Sequence, residues 1–336
     1  GHYCPEGSHE QIKCPAGKYQ DLTGQGSCKD CTAGNYCEEG ADSETTCPAG
    51  YYCPDNTGYR HSYPCPVGTF NPDTGSDSID DCQACTAGSY CDSPGINTVT
   101  GNCAAGYYCS GSAIIATPID TDTGGICPLA SYCPESSTSP TDCDAGKYCN
   151  QQGLSSPVAD CYKGFYCNAK STTAVPTDGT MGNICSAGKY CAAGSSSETD
   201  CGVGKYSPAV GLFEAAECLD CPHGKYCETA GLTSPTGDCS AGYYCDGGQN
   251  VASPSGKECT VGSYCEEGSF EAVPCQKGKY QDDTSQSSCK DCTSGKYCEG
   301  GNHQPEDCPI GHYCPANTRF DKEFPCEAGT YSDSPG

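Results

Sequence analysis

The chain has almost nothing from which to build a hydrophobic core. Its 336 residues include no Trp and one Met, and Leu, Ile, Val and Phe together number only 30. That is about 9%, well under the roughly 20% below which a highly charged chain is expected to be disordered. Positive charge is scarce as well: 17 Lys and Arg stand against 43 Asp and Glu, a net charge of −26 at pH 7. Such a balance excludes nucleic acid and acidic membrane surfaces as partners, since both would repel it. No apolar run is long enough for a transmembrane helix, so no direct membrane insertion is expected of this segment. Asn-x-Ser/Thr sequons are absent, and only the rare Asn-x-Cys form occurs, at Asn35 and Asn183. No Ser-His-Asp or Cys-His arrangement stands out, so an enzyme is not expected and no cofactor is implied.

What the chain does have is cysteine, 36 of them. That density exceeds the roughly 8–10% that marks a disulfide scaffold. Thiols so crowded pair up in an oxidising compartment, which points to secretion or the cell surface. The competing reading is a zinc protein. Four Cys-x2-Cys pairs exist, at Cys28/Cys31, Cys82/Cys85, Cys218/Cys221 and Cys289/Cys292, but they lie 54 or more residues apart and the six His are scattered. No second pair stands at zinc-ribbon distance, and zinc is rejected.

One short motif recurs. Cys-x2-Gly-x-Tyr (or Phe) opens at Cys14, Cys31, Cys47, Cys65 and at twelve further Cys up to Cys308, ending with Cys326. Cys127 opens a variant, "CPLASYC", with Ala130 in place of Gly. Openers are spaced 16 to 24 residues apart, so the chain is an array of very small modules. In short modules a Cys follows the Tyr at once, as in Cys31 to Cys37; in long ones it comes later and begins a Cys-x2-Cys. The Gly can take φ > 0 and turn the chain tightly. The Tyr can lay its ring over a neighbouring disulfide while its hydroxyl stays wet. Its fixed place in each module reads as packing rather than as a ligand-binding aromatic row.

A longer period lies above the first. Sliding the chain by 261 residues sets Cys4 on Cys265, Cys14 on Cys275 and Cys65 on Cys326, with 39 of 75 overlapping positions identical and no gap. The expected organisation is residues 1–13 as the end of a truncated module, 14–274 as one superrepeat of 14 modules, and 275–336 as the start of the next. Gly1, the orphan "GHYC" and the unclosed "CEAGTYSDSPG" are expected marks of a window cut from a longer array.

Two disulfide registers fit the spacing. In one, each opener pairs with the next Cys: Cys14–Cys28, Cys31–Cys37, Cys47–Cys53, Cys65–Cys82, Cys201–Cys218, Cys275–Cys289 and Cys292–Cys298. In the other, each closing Cys pairs with the following opener, which forces Cys28–Cys31 into a bond of redox-catalyst type. The first is expected, because it closes a glycine-turned hairpin with each bond and leaves only Cys4 and Cys326 to find partners elsewhere. Interleaved patterns need Cys in fours, and the run Cys221 to Cys265 has six.

Other candidates are sparse. "DTDTGG" offers Asp120 and Asp122 as a weak calcium candidate without the full ligand series, so no metal is expected. "NPDTGSDSIDD", Asn71 to Asp81, reads as a solvated acidic turn. Ser-Pro dipeptides recur and either punctuate turns or carry O-linked sugar on Ser/Thr or hydroxylated Pro. The candidates are Ser139-Pro140, Ser156-Pro157, Ser234-Pro235 and Ser253-Pro254.

The long modules Cys14-Gly17-Tyr19-Cys28-Cys31, Cys65-Gly68-Phe70-Cys82-Cys85, Cys201-Gly204-Tyr206-Cys218-Cys221 and Cys275-Gly278-Tyr280-Cys289-Cys292 carry a resemblance. They resemble the ephrin-receptor-like cysteine-rich repeat and the first submodule of tumour-necrosis-factor-receptor repeats. The short modules depart from that pattern. Long arrays of this mixed type are also similar to surface proteins of protists and algae, flagellar-hair (mastigoneme) proteins among them. The resemblance implies an extracellular, disulfide-rich ladder of short β-hairpins.

Module size supplies the remaining expectation. One disulfide closing a loop of about 15 residues contributes roughly 3 kcal/mol, too little to order a module alone. Neighbours must therefore stack, as in solenoids, giving an elongated ladder held by disulfides and Tyr packing. The expected function is a structural subunit of an extracellular fibre or of a cell-surface, flagellar or ciliary appendage, self-associating and O-glycosylated. The alternative is the stalk or ligand-binding ectodomain of a receptor or adhesion protein.

Overall fold

The computed structural model describes residues 1–301 and 304–336 of the chain. Two compact units are formed, one from Gly1–Asp160 with Asn168–Ala174, the other from Cys161–Cys167 with Val175–Gly336. Both are disulfide-rich ladders of minimal β-hairpins, and the rungs follow one plan.

Short strands are what this sequence can support. In most first strands the Tyr after the glycine turn is the only apolar residue, beside a polar one, as in Lys18–Tyr19 and Asn35–Tyr36. Two or three residues therefore pair on each side, as in Lys18–Tyr19 with Lys29–Asp30, Asn35–Tyr36 with Thr45–Thr46, and Lys205–Tyr206 with Leu219–Asp220. An isolated two-stranded hairpin is marginal in water. Here the hairpins are tied to one another.

Every disulfide joins an opener to the next Cys. Thirteen span six residues, such as Cys31–Cys37, Cys47–Cys53 and Cys292–Cys298. Four span 14 or 17: Cys14–Cys28, Cys65–Cys82, Cys201–Cys218 and Cys275–Cys289. Cys4 and Cys326 carry no such bond. One detail corrects the expectation from spacing. In the short modules the bond loops round the glycine turn and the first strand, as Cys31–Cys37 does round Asn35–Tyr36, and no disulfide ties that strand to the second arm at Thr45–Thr46.

Backbone bonds between rungs do the stacking. Taking the Cys14 and Cys31 modules, Cys31 N–H donates to the Gly17 carbonyl (2.9 Å) and Gly17 N–H to the Cys37 carbonyl (2.8 Å). The Cys14 carbonyl accepts from Gly40 N–H (2.8 Å). The second unit repeats the set: Cys221 N–H to Gly204 (2.8 Å), Gly204 N–H to Cys227 (2.9 Å), and Gly231 N–H to the Cys201 carbonyl (2.9 Å). A second left-handed turn therefore follows each closing position and docks on the opener of the preceding rung. It is filled by Gly in most rungs and by Asn56, Ser112, Ser136, Lys170, Ser285 or Asn317 in others.

Contacts also reach two rungs along. Gly17 has φ of 91°, and a Cβ on it would lie 2.5 Å from the Asn56 carbonyl oxygen. The motif glycine is thus required twice, for its left-handed backbone and for the close approach of another main chain. Ala130 is the exception. It holds φ of 68°, and its N–H reaches the Cys149 carbonyl at 3.3 Å where the Gly17 and Gly34 amides reach theirs at 2.8 Å.

The buried core is cystine. Nearly all openers and closing Cys are sealed from solvent, whereas the Tyr rings are half-buried against them. Tyr90 and Tyr107 pack on Cys103, Cys109 and Ala113, and Tyr190 on Cys201, Leu212 and Cys218. Tyr rings also cover the glycine paired with them across the hairpin, Tyr90 over Gly101 and Tyr226 over Gly237.

Candidate functional surface

Each hairpin presents the residue after its glycine opposite the residue before the next opener. In seven rungs these are Lys and Asp, placed in register: Lys18/Asp30, Lys147/Asp160, Lys189/Asp200, Lys205/Asp220, Lys225/Asp238, Lys279/Asp291 and Lys296/Asp307. All seven are ion-paired, for example Lys147–Asp160 at 2.8 Å and Lys205–Asp220 at 2.6 Å. Lys29–Asp21, Lys170–Asp142, Lys257–Asp246, Lys290 with Asp282 and Asp283, and Arg319–Glu323 add five more cations. Pairs this exposed contribute little stability each. Their larger effect is on the surface field: most cations are matched locally, and the remaining carboxylates carry the net charge. Hydrogen bonding to Lys29, Lys257 and Lys290 holds Asp21, Asp246 and Asp282 below the usual carboxylate range.

A set of functional positions went unread in the sequence. In each long module the residue six after the opener occupies the place of the missing closing Cys, and it is a buried polar side chain: Gln20, Asn71, Ser207 and Gln281. Gln20 donates to the Ser27 carbonyl (2.6 Å) and accepts from Leu22 N–H (3.1 Å). Gln281 repeats this with Ser288 (2.7 Å) and Asp283 (3.2 Å). Asn71 donates to the Tyr51 carbonyl (3.2 Å) and Ser76 Oγ (2.8 Å) and accepts from Asp73 N–H (3.1 Å). Ser207 Oγ accepts from Ala209 N–H (3.2 Å). The side chain clamps the long loop where a disulfide clamps the short one. The signal lay in the alignment of modules, as a polar residue at the Cys position.

The acidic turns hold themselves closed. Asp120 accepts from Thr123 N–H (2.7 Å) and from Thr123 Oγ1 (2.8 Å), bonds that keep its carboxyl below the usual range. The neighbouring Asp122 gives its main-chain carbonyl to Ser110 Oγ (3.2 Å). In the other turn, Asp81 Oδ2 accepts from the amides of Asp77 (3.0 Å) and Ser78 (3.2 Å). Among the described residues no three His, Cys, Asp or Glu side chains are grouped to hold a metal ion.

Three of the four Ser-Pro candidates share one place in the ladder. Ser139, Ser156 and Ser234 each stand three residues beyond a left-handed turn residue, Ser136, Gly153 and Gly231, and each is exposed. Their prolines Pro140, Pro157 and Pro235 are half-buried and lead into the second strand. Ser253 is exposed as well, but Pro254 is buried, so of that pair only the serine offers an accessible atom.

Aromatic pairs with one exposed ring each, Tyr63 and Tyr313, complete the surface. Tyr52 and Tyr63 lie with ring centroids 5.5 Å apart, and their equivalents 261 residues on, Tyr313 and Phe324, lie 5.6 Å apart. No helix among the described residues is long and apolar enough to cross a membrane. No protein-family model matches the chain, and no curated protein matches it.

Proposed function

We propose that the chain is a structural segment of an extracellular fibre or cell-surface appendage, a rod of tandem cysteine-rich rungs that associates with copies of itself and carries O-linked sugar. The observation that supports it most is the recurrence of side-chain detail at 261 residues. Gln20 and Gln281 make the same clamp, Lys18–Asp30 and Lys279–Asp291 the same pair, and Tyr52/Tyr63 and Tyr313/Phe324 the same aromatic contact. Lateral packing of rods requires equivalent groups at fixed intervals, and a block copied with these side chains retained supplies them. Disulfides of this number form in an oxidising compartment, which is the support for an extracellular site. Flagellar or ciliary hair is the appendage of this kind that the sequence resembles.

Exposed Ser139, Ser156, Ser234 and Ser253 are the proposed O-linked positions, in a chain without sequons. Electron microscopy of native material tests the reading. Filaments with an axial repeat of whole superperiods, and non-protein density at these serines, are the expected outcome. Compact monomers with bare serines would favour the receptor-ectodomain alternative.

A further inference from the structure

Three rungs of the second unit make one contact in two chemical versions. The residue two places after an opener lies against a Phe in the turn of the rung two further along. After Cys161 it is Lys163, whose Nζ stands 3.8 Å from the ring centroid of Phe213. After Cys275 it is Lys277, 4.1 Å from the centroid of Phe320. After Cys221 it is His223, which meets Phe270 edge to face, with centroids 6.3 Å apart and planes at 86°.

The imidazole does not cover its ring as the lysines do. Phe270 is 53% exposed, against 39% for Phe320, and Phe213 is half-buried. The first unit supports the comparison. Ala16 stands 261 residues before Lys277, Tyr59 stands 261 before Phe320, and with no lysine to cover it Tyr59 is 59% exposed.

A groove is left beside Phe270, lined by His223, Tyr244, Asp246 and Glu271. Asp246 is already paired with Lys257 (2.6 Å), and that ammonium also lies 5.4 Å from the Tyr244 ring centroid. Glu271 is in no ion pair among the described residues. The groove thus combines an open aromatic face with an unneutralised carboxylate, on a chain of net charge −26 that draws cations to it.

We propose that this groove binds a primary alkylammonium group, the side chain of a lysine on a second protein, seated on Phe270 beside Glu271. The chain's own rungs show what fills the equivalent place, a lysine ammonium over a Phe. The site is independent of the fibre reading and would serve a receptor stalk equally.

The test uses the whole oxidised chain and Nα-acetyl-lysine methylamide as probe, followed by NMR at the His223 and Phe270 rings. Saturable shifts at millimolar probe are expected, with none from the Nε-acetylated form. His223→Lys supplies an internal ammonium and should weaken the probe about tenfold, as should Phe270→Ala. Both side chains are exposed, so unchanged amide shifts at Cys221 and Cys227 will verify that the variants fold. Equal shifts from the acetylated probe, or undiminished binding by His223→Lys, overturn the proposal. Binding of spermidine without binding of the lysine probe overturns the assignment to a protein lysine.

Discussion

Ala130→Gly should make this chain more stable, although Gly for Ala is ordinarily a loss. Ala130 holds φ of 68° in the one motif turn that lacks glycine. An L-residue in the left-handed region costs roughly 1–2 kcal/mol, more than the few tenths to ~1 kcal/mol of extra chain freedom that Gly brings to the unfolded state. The 3.3 Å bond from Ala130 N–H to Cys149 shows the rung standing back, where the Gly106 amide of the preceding rung reaches Cys133 at 2.8 Å. A net gain of about 1 kcal/mol is expected, or about fivefold slower exchange of the amides at positions 130 and 143. Cys143 is included because its N–H donates to the residue-130 carbonyl (2.9 Å). Native-state hydrogen exchange is the right assay, since a stacked ladder opens locally rather than in one step. The reverse change at a tight site sets the scale. Gly17→Ala places a Cβ 2.5 Å from the Asn56 carbonyl oxygen and must displace a main chain, so it should cost more than Ala130→Gly gains. Faster exchange in Ala130→Gly, or a silent Gly17→Ala, would refute the account of the close approach.

Removing the Gln281 side chain in Gln281→Ala strands the Ser288 carbonyl and the Asp283 amide, with an expected cost of about 1–3 kcal/mol confined by hydrogen exchange to residues 281–289. Gln281→Glu should keep the bond from the Asp283 amide but set a buried carboxylate oxygen against the Ser288 carbonyl, and so lose at least as much. The Tyr297 hydroxyl donates to Glu306 Oε2 (2.7 Å), and this bond, burial and the Glu306 charge push its pKa up to about 12. Its contribution to stability is complete below the ordinary tyrosine value of 10 and is lost as pH rises through about 12. Ultraviolet titration should show one late tyrosine, absent in Glu306→Gln. Full reduction should abolish the circular dichroism of the whole chain, because the buried groups are the cystines themselves and little else can collapse. Far-UV signal that survives complete reduction would contradict that description of the core.

Much of this was legible because cysteine and glycine leave hard marks. The openers, the glycine turn and the Tyr beside it are local chemistry, and local chemistry repeats visibly. The clamp at Gln20 and Gln281 was harder to see, since a glutamine carries no signal until it is found at the place of a missing Cys. The second left-handed turn was hidden for another reason. It is filled by Gly, Asn, Ser or Lys, and what the positions share is a bond from their amide to an opener carbonyl one rung back, as Lys170 makes to Cys143 (2.9 Å). The groove at Phe270 depends on residues 47 positions apart, His223 and Phe270, which only stacking brings together.

That second turn also explains how a ladder can be built from modules whose spacing drifts. The turn residue falls nine or ten places after its opener in every rung: Gly40 after Cys31, Ser112 after Cys103, Lys170 after Cys161, Gly231 after Cys221. The drift lies after it. Seven residues lead from Gly40 to Cys47, and fifteen from Ser112 to Cys127. Between opener and turn the main chain is tied to other rungs at several positions, as at Gly34, Cys37 and Gly40, so added chain would carry the turn off its carbonyl. The residue just after the turn is still tied, as Ala113 is to Cys91 N–H (2.8 Å), but past it the loop is largely exposed, and doubling its length costs only about 0.6 kcal/mol. The rung at Cys85 allows a matched comparison. Three residues inserted between Asn97 and Thr98 should leave the pairing of Ser89–Tyr90 with Gly101–Asn102 intact and Gly95 N–H on the Cys65 carbonyl (2.9 Å). The same three inserted between Asp92 and Ser93 should break the Gly95 bond and expose the amides of two rungs to exchange. If both insertions are equally harmless, the turn does not set the stacking; if both are equally damaging, the loop beyond it is not free to vary.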